Sequence, residues 1–203
     1  MAIKNIVFDV GGVLVDFCFR EYMYELGFDK DTVELFTEHM IFSKHWDELD
    51  RGVLTHKEAE EIFKKEIPGH DKEMDLFWKN LMGIVKEYDY SENLIVKLKQ
   101  KGFGIYILSN YPKELSDLHW PTFKFLKNAD GKIISGYERI AKPDIEIYKL
   151  LESRYGLDLK ESLFVDDRQI NIDGAKMAGM QGLLFNDYDG FIKELREKHI
   201  EIE

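Results

Sequence analysis

Short apolar runs recur along the chain without the alternation of apolar and polar residues that marks a half-exposed strand. Strands with this continuous pattern are buried on both faces, which is typical of a parallel sheet. Each run ends at a small or polar residue, as expected where a strand turns toward a helix. The four runs occupy residues 6–8, 105–108, 163–165 and 182–185, and they are followed by Asp9, Ser109, Asp166 and Asn186.

Helical patterns separate these runs. They cover residues 91–101, 143–155 and 171–177, and they close at Gly102, Gly156 and Gly179. Ser91 is expected to cap the first of these helices. Strands that alternate with helices through short links predict an α/β fold with a doubly wound parallel sheet. Ligands bind beyond the carboxyl ends of the strands in such sheets, where Asp9, Ser109 and Asp166 all fall.

Residues 16–88 follow a different pattern, because they contain no convincing buried strand and are rich in Glu, Lys, Phe, Leu and Met. Thr32, Thr55 and Asp71 are plausible helix starts, and Thr55 with Glu58 fits a capping box. We therefore predict a small helical cap at 16–88, inserted after the first strand of a core formed by 1–15 and 89–203. Caps of this kind exclude water and carry specificity.

Composition narrows the class of protein. Hydrophobic residues make up 44% of the 203-residue chain, enough for a buried core, so disorder is not expected. The net charge of −11 argues against nucleic acid as the main partner, because nucleic-acid binders present a basic face. We find no signal peptide and no apolar run long enough to span a membrane. With Cys18 alone, no intrachain disulfide forms, and a cytoplasmic protein is the expectation.

Chemistry-bearing residues stand at or near three of the strand ends. Asp9, Ser109 and Lys142 are each weak signals, since each type is common in ordinary turns and loops. The adjacent carboxylates of Asp166 and Asp167 are more specific, because they repel each other unless a cation lies nearby. Hard oxygen ligands of this kind suit magnesium.

Four motifs in order carry a family resemblance: FDVGGVLVD, ILSN, AKPD and FVDDRQINIDGA. With them the chain resembles the haloacid dehalogenase-like (HAD) hydrolase superfamily over nearly its whole length. The closest likeness is to bacterial sugar-phosphate phosphatases with a helical cap, a subgroup that includes the α-D-glucose 1-phosphate phosphatases. The resemblance implies a magnesium-dependent phosphatase for a small phosphorylated metabolite, with a hexose 1-phosphate as the leading substrate.

The resemblance also implies a role for each motif residue. Asp9 would be the nucleophile that forms an aspartyl-phosphate. Ser109 and the backbone N–H of Asn110 would bind phosphate oxygens, and Lys142 would neutralise the phosphate and steady the nucleophile.

The resemblance further implies that magnesium would be held by Asp9, the Gly11 carbonyl and Asp167. Asp166 would be either a further ligand or a neighbour of the ligands. Asn171 would either orient the metal's water molecules or cap the helix that follows.

Gly11 occupies a position where most relatives carry a second aspartate that protonates the leaving alcohol. The loss of that acid leaves three explanations: an easily displaced leaving group, a proton from the cap or from metal-bound water, or a protein that binds phospho-ligands with little turnover. Asp16 is a weak substitute, since the chain should already be leaving for the cap there. The 2-haloacid dehalogenases also lack this aspartate and are the competing enzyme class, but their fourth motif resembles FVSS, and FVDD favours a phosphatase.

Several other residues have both a functional and a structural interpretation. Arg51 would reach the substrate or pair with Asp47 or Asp50. An aromatic group in the cap would line a sugar pocket or fill the cap interior; it comprises Phe42, His45 and Trp46. The segment 119–121 would fold over the site or cover the core, and Cys18 is expected to be a small core residue.

Overall fold

A computed structural model describes residues 2–202 of the protein. Within this range the strands are β1 (Asn5–Phe8), β2 (Val15–Asp16), β3 (Lys86–Glu87), β4 (Gly104–Ser109), β5 (Gly131–Ile134), β6 (Ser162–Asp166) and β7 (Gln181–Leu184). The α-helices are α1 (Phe19–Glu25), α2 (Lys30–Phe36), α3 (Lys44–Asp50), α4 (His56–Glu66), α5 (Asp71–Lys79), α6 (Ser91–Gln100), α7 (Lys113–His119), α8 (Ser135–Glu138), α9 (Ile145–Tyr155), α10 (Gln169–Met177) and α11 (Tyr188–Glu197). A π-helical turn at Thr37–Ile41 follows α2, and 3₁₀ turns occupy Leu81–Ile84, Trp120–Thr122, Phe125–Asn128 and Leu159–Glu161.

Five parallel strands form the main sheet in the order β5-β4-β1-β6-β7. The four predicted strands are confirmed, and the sheet has helices packed on both faces. Ile6 and Phe8 point into the cluster shared with the cap and α11, where Phe8 meets Phe191 edge to face. Val7 points to the opposite face, into the cluster that contains Tyr148 of α9 and Ile172 of α10. This alternation explains why the runs are apolar throughout.

Strand β5 was not predicted. It lies at the sheet edge, its sequence is only Gly-Lys-Ile-Ile, and Lys132 within it is exposed. The Tyr155 hydroxyl accepts from the Lys132 N–H and donates to the Lys132 carbonyl, so a side chain satisfies part of the strand's free edge.

Helices α1 to α5 all lie between the short strands β2 and β3, which pair antiparallel so that the chain leaves and re-enters the core side by side. Apart from Asp16 of β2 and the two residues of β3, no strand is described within 16–88, as predicted. Thr55 and Glu58 form the expected capping box at the start of α4. The exact boundaries of the cap at 16 and 88 stay a prediction.

Three details of the predicted helices are wrong. Ser91 is the first residue of α6 and does not cap it, since its hydroxyl donates 2.7 Å to the Leu14 carbonyl. Thr32 lies inside α2, where Asp29 is the capping residue. Asn171 does not cap α10, which begins two residues earlier at Gln169.

The predicted ends of α9 and α10 at Gly156 and Gly179 agree with the structure. Gly156 ends α9 in the left-handed conformation with a φ of 69°, and Gly179 has a φ of 101° beyond α10. Cys18, expected in the core, is half-buried, and its Sγ lies 3.6 Å from the Gly83 carbonyl. None of the helices at 2–202 is long and apolar enough to cross a membrane.

Candidate active site

Sheet topology brings the predicted acidic residues together. Strand β1 pairs with β4 on one side and with β6 on the other, so Asp9 after β1 lies beside Asp166 at the end of β6. Carboxylate oxygens of Asp9, Asp166 and Asp167 all lie within 4.8 Å of one another. The three acids therefore form one cluster at the carboxyl edge of the sheet, where a ligand is expected.

Lys142 is buried in this cluster. Its Nζ lies 2.8 Å from Asp9 Oδ1 and 2.6 Å from Asp166 Oδ2. Burial by itself would lower the pKa of Lys142, but the attraction of Asp166 and Asp9 outweighs it and holds the pKa above its usual value. Lys142 is therefore a permanent cation in contact with the candidate nucleophile.

Asp166 is completely buried, and its oxygens are already engaged. Besides the bond from Lys142, its carboxylate accepts hydrogen bonds from the Arg168 N–H at 2.8 Å and from the Asn171 amide at 2.9 Å. Burial raises the pKa of Asp166, but the charge of Lys142 and these hydrogen bonds together keep it below its usual value. Asp166 is thus an ionised group that holds its neighbours in place.

Asp9 and Asp167 have the opposite character. Burial raises the pKa of Asp9, and the charges of Asp166 and Asp167 add to the rise, although Lys142 works against it. Burial and the charge of Asp166 also raise the pKa of Asp167, which reaches the surface. Two carboxylates are therefore held in a place where negative charge is in excess, so a cation would stabilise both.

The turn after Asp9 depends on glycine at one position. Gly12 has a φ of 70°, and a Cβ built on it would lie 2.6 Å from Asp167 Oδ2, so only glycine lets Asp167 approach the turn. Gly11 is different, because a Cβ built there meets nothing within 4 Å. The position at which most relatives carry the second aspartate therefore has free space beside it, and the fold would accept a side chain at Gly11.

The ILSN motif is joined to Lys142 by a reciprocal pair of hydrogen bonds. The Asn110 amide donates 3.0 Å to the Lys142 carbonyl, and the Lys142 N–H donates 2.8 Å to Asn110 Oδ1. Asn110 lines the cavity described next, whereas Ser109 is buried outside its lining and donates only a long 3.5 Å hydrogen bond to the Asn110 carbonyl.

A cavity of about 670 Å³ lies between the sheet edge and the cap helices. The core lining includes Asp9, Gly11, Asn110, Lys142, Asp167 and Asn171. The lining from the segment 16–88 is apolar and acidic, with Asp16, Phe17, Ile41, Phe42, Trp46, Asp47, Asp50, Ile84 and Val85. No lysine or arginine of that segment is among the lining residues of the described chain.

The structure also decides between the two interpretations of several cap residues. Arg51 pairs with neither Asp47 nor Asp50, because its guanidinium binds Asp144 of the core at 2.6 and 3.4 Å. Phe42 is 71% exposed and lines the cavity.

Trp46 lines the cavity from a buried position. His45 does not line it, since its ring bonds Glu48 and Glu66. His119 is buried between the Tyr111 hydroxyl at 2.7 Å and the Leu81 carbonyl at 2.8 Å, so it ties the core to the cap segment and does not fold over the site.

The donor set fits a hard divalent cation such as magnesium. Three carboxylates face one buried ammonium group, and the Gly11 carbonyl belongs to the same turn as Asp9. Oδ1 of Asn171 is buried with no hydrogen-bond partner in the described residues, which leaves a further unused oxygen at the edge of the cluster. Oxygen ligands with excess negative charge are what such a cation requires.

Comparison with known proteins agrees with this geometry. A family model described as haloacid dehalogenase-like hydrolase matches residues 3–179. The chain belongs to the haloacid dehalogenase-like hydrolases.

Relatives of this HAD hydrolase include named phosphatases. A sesquiterpene phosphatase of Aspergillus oryzae is 26% identical over 96% of this chain and 95% of its own length. A D-ribitol-5-phosphate phosphatase of Bacteroides thetaiotaomicron is 29% identical over 88% and 90% of the two chains. A crystal structure of a HAD family enzyme from the same bacterium, in complex with magnesium and inorganic phosphate, superposes with a TM-score of 0.71, 25% identity and coverage of 94% and 99%.

Asp50 is a cavity residue of this HAD hydrolase for which sequence analysis predicts no functional role. It was considered only as a partner of Arg51, and the structure instead points it toward the cavity that contains Asp9. A lone acid near the end of a cap helix carries no local signal of function, so only the packing of the cap on the core identifies it.

Proposed function

We propose that the protein is a magnesium-dependent phosphatase that hydrolyses a small phosphomonoester through an aspartyl-phosphate on Asp9. The observation that carries the proposal is the contact of Lys142 Nζ with Asp9 Oδ1 inside a cluster of three carboxylates. A permanent cation beside the nucleophile orients it and offsets the charge of an incoming phosphate. The named phosphatases among the relatives support the same reaction.

Magnesium would be held by Asp9, the Gly11 carbonyl and Asp167. Asp166 is the weaker candidate for a direct ligand, because its oxygens already bind Lys142, Arg168 and Asn171. The ion would polarise the phosphate oxygens and offset the negative charge of the site. The magnesium and phosphate complex of the related enzyme supports this assignment.

Phosphate oxygens would be bound by Lys142, by the Asn110 backbone N–H and by the Ser109 hydroxyl. The Asn110 N–H has no hydrogen-bond partner in residues 2–202, so it is free to donate to a ligand. The Ser109 hydroxyl is held only by its 3.5 Å bond to the Asn110 carbonyl and can turn toward an anion.

We propose a sugar phosphate as substrate, with a hexose 1-phosphate as the leading candidate. Phe42 and Trp46 offer aromatic faces to a sugar ring, and the carboxylates of Asp47 and Asp50 offer acceptors to its hydroxyls. The segment 16–88 brings no cation to the cavity, and the cations of its described lining are Lys142 and Arg168 of the core, so a leaving group without a second phosphate suits this cavity best. The anomeric hydroxyl is also more acidic than an ordinary alcohol, which eases its departure.

The test is phosphate release from a panel of phosphomonoesters, with magnesium and with EDTA. We expect magnesium-dependent release, preference for anomeric phosphates over primary-alcohol phosphates, and loss of turnover in Asp9→Asn. Equal rates on both ester classes would contradict the hexose 1-phosphate assignment. Chloride release from a 2-haloacid in EDTA would instead identify a dehalogenase, and phosphate binding without turnover would identify a binding protein.

We further propose that residues 16–88 are the specificity cap of a core formed by 1–15 and 89–203, in a cytoplasmic protein. The ribbon of β2 and β3 supports these boundaries, because it closes the inserted segment at its base. Exchange of the segment between the ribbon strands for that of the related D-ribitol-5-phosphate phosphatase should change substrate preference and retain the dependence on Asp9.

A further inference from the structure

Asp50 is the last residue of α3, and its carboxyl lines the cavity that also contains Asp9, Gly11 and Lys142. No hydrogen bond or ion pair engages this carboxyl in the described part of the chain. An unpaired carboxyl that faces a ligand cavity is costly to the fold, so it is a candidate for a role in the reaction.

The end of α3 is held firmly on the core. The Ser135 hydroxyl donates 2.5 Å to the Asp50 carbonyl, and the neighbouring Arg51 is bound to Asp144. Gly52 follows with a φ of 69°, and its backbone lies so close to Gly136 that an added Cβ would be 2.2 Å from the Gly136 oxygen. These contacts hold the backbone at the end of α3 on the core, so the Asp50 side chain starts from a fixed point beside the cavity, which favours the defined geometry that proton donation requires.

The surroundings of Asp50 favour its protonated form. Burial raises the pKa of Asp50 to about 8, and the charges of Asp47 and Asp9 contribute to the rise. Lys142 and Arg168 act in the opposite direction with smaller effect. A carboxylic acid that keeps its proton near neutral pH can donate it to a leaving oxygen.

We propose that Asp50 is the general acid and base of the reaction and fills the role for which Gly11 has no side chain. In the first step an Asp9 oxygen attacks phosphorus, the bond from phosphorus to the leaving oxygen breaks, and that oxygen takes the bonding electrons and the Asp50 proton. In the second step water attacks the phosphorus of the aspartyl-phosphate and gives a proton to Asp50. The bond from phosphorus to Asp9 then breaks, which restores the Asp9 carboxylate and releases phosphate.

The other cap acids are less suited to this role. Asp16 lies in the β2 ribbon beside the Tyr88 hydroxyl, at the base of the cap. Asp47 is exposed to solvent one turn earlier on α3. Asp50 combines a position in the cavity lining with a helix end that is bound to the core through Ser135 and Asp144.

The test rests on the proposed phosphatase activity and compares leaving groups. Departure of p-nitrophenolate needs no proton, whereas departure of a primary alcohol does. Asp50→Asn should therefore lower kcat/KM, which reports departure of the leaving group and not the later hydrolysis common to both substrates, by about 10²- to 10⁴-fold on a primary-alcohol phosphate and by less than about 10-fold on p-nitrophenyl phosphate. The alkaline limb of the kcat/KM profile should also disappear in the variant. Glu38→Gln, at an exposed acid of the same segment 16–88 outside the cavity lining, is the matched control and should show no such dependence on the leaving group.

A second variant separates a proton donor from a residue that merely supports the cap. Because the space beside Gly11 is open, Gly11→Asp placed in the Asp50→Asn protein should restore part of the lost rate on the primary-alcohol phosphate. Equal losses of kcat/KM on both substrates would overturn the assignment of Asp50 as acid. A wild-type protein that turns over neither ester with magnesium would overturn the proposed function, and this inference with it.

Discussion

Lys142 Nζ lies 2.6 Å from Asp166 Oδ2, and neither side chain is exposed to solvent. The second contact of Lys142, with Asp9, makes this buried pair the link between the strand ends of β1 and β6. Removal of the shared cation would leave two buried carboxylates without a counter-charge, so the pair matters to stability as well as to catalysis.

Lys142→Met should therefore lower both activity and stability. We expect kcat to fall by about 10²- to 10³-fold, since a group that stabilises developing charge is lost. The free energy of unfolding without metal should fall by about 3–5 kcal/mol because a buried ion pair is broken. Phosphate-release kinetics and urea denaturation measure the two effects.

Lys99→Met is the matched control for that variant. Lys99 binds Asp130 at 2.6 Å, but both side chains are 34% exposed, so its loss should cost no more than about 1 kcal/mol. If the two variants lost similar stability, Lys142 would not act as the counter-ion of a buried cluster.

Asp167→Asn and Asp166→Asn should separate metal binding from structural support. Asp167 is exposed, and its carboxyl forms no hydrogen bond with another residue of the described structure, so the metal-free variant should be no less stable than the wild type. Its affinity for magnesium alone, measured by calorimetry, should fall by at least about 10-fold.

Asp166→Asn should instead affect mainly stability. We expect its free energy of unfolding without metal to fall by about 3–5 kcal/mol, because Lys142 loses its buried partner. Retention of magnesium affinity in Asp167→Asn would show that the ion does not use this carboxylate.

Asp50 should make stability depend on pH. Its pKa is about 8 in the folded protein and near 3.8 unfolded, so the folded state holds the proton more tightly between these values. Stability should therefore fall as pH rises through this window, and Asp50→Asn should remove that part of the fall. We expect the stability advantage of the variant over the wild type to grow by roughly 1–3 kcal/mol between pH 5 and pH 8.5.

Urea denaturation at the two pH values measures this difference, with Asp89→Asn as the control at an exposed site outside the cavity lining. A stability difference that does not change with pH would contradict a proton held on Asp50.

The core of the site was predictable because its residues are tied to strand ends. Buried runs without alternation place Asp9 and Asp166 at one sheet edge, and the family motifs add Lys142 and Asp167. Strand β5 was not predicted, because an edge strand of four residues with a glycine and an exposed lysine lacks a continuous buried run.

The cap side of the site was not predictable for a different reason. Arg51 was expected to pair with Asp47 or Asp50, but its partner Asp144 is 93 positions away in the sequence. Which face of α3 meets the cavity depends on such long-range contacts, and local periodicity carries no information about them. That Asp50 and Asp9 line the same cavity follows only from the packing of the cap on the core.

Gly52→Ala tests whether this docking sets the geometry of the reaction. The substitution forces a side chain into left-handed backbone, at a cost of about 1–2 kcal/mol, and adds a collision with the Gly136 oxygen. Gly27→Ala is the matched control, because Gly27 has a φ of 88° in the same cap segment and its added Cβ meets nothing within 4 Å.

Both variants should lose stability, but only Gly52→Ala should displace the end of α3. A shift of about 1 Å can cost about 10²-fold in rate, so kcat should fall in Gly52→Ala and stay near the wild-type value in Gly27→Ala. Equal kcat in the two variants would show that the close contact between Gly52 and Gly136 is not needed to position Asp50.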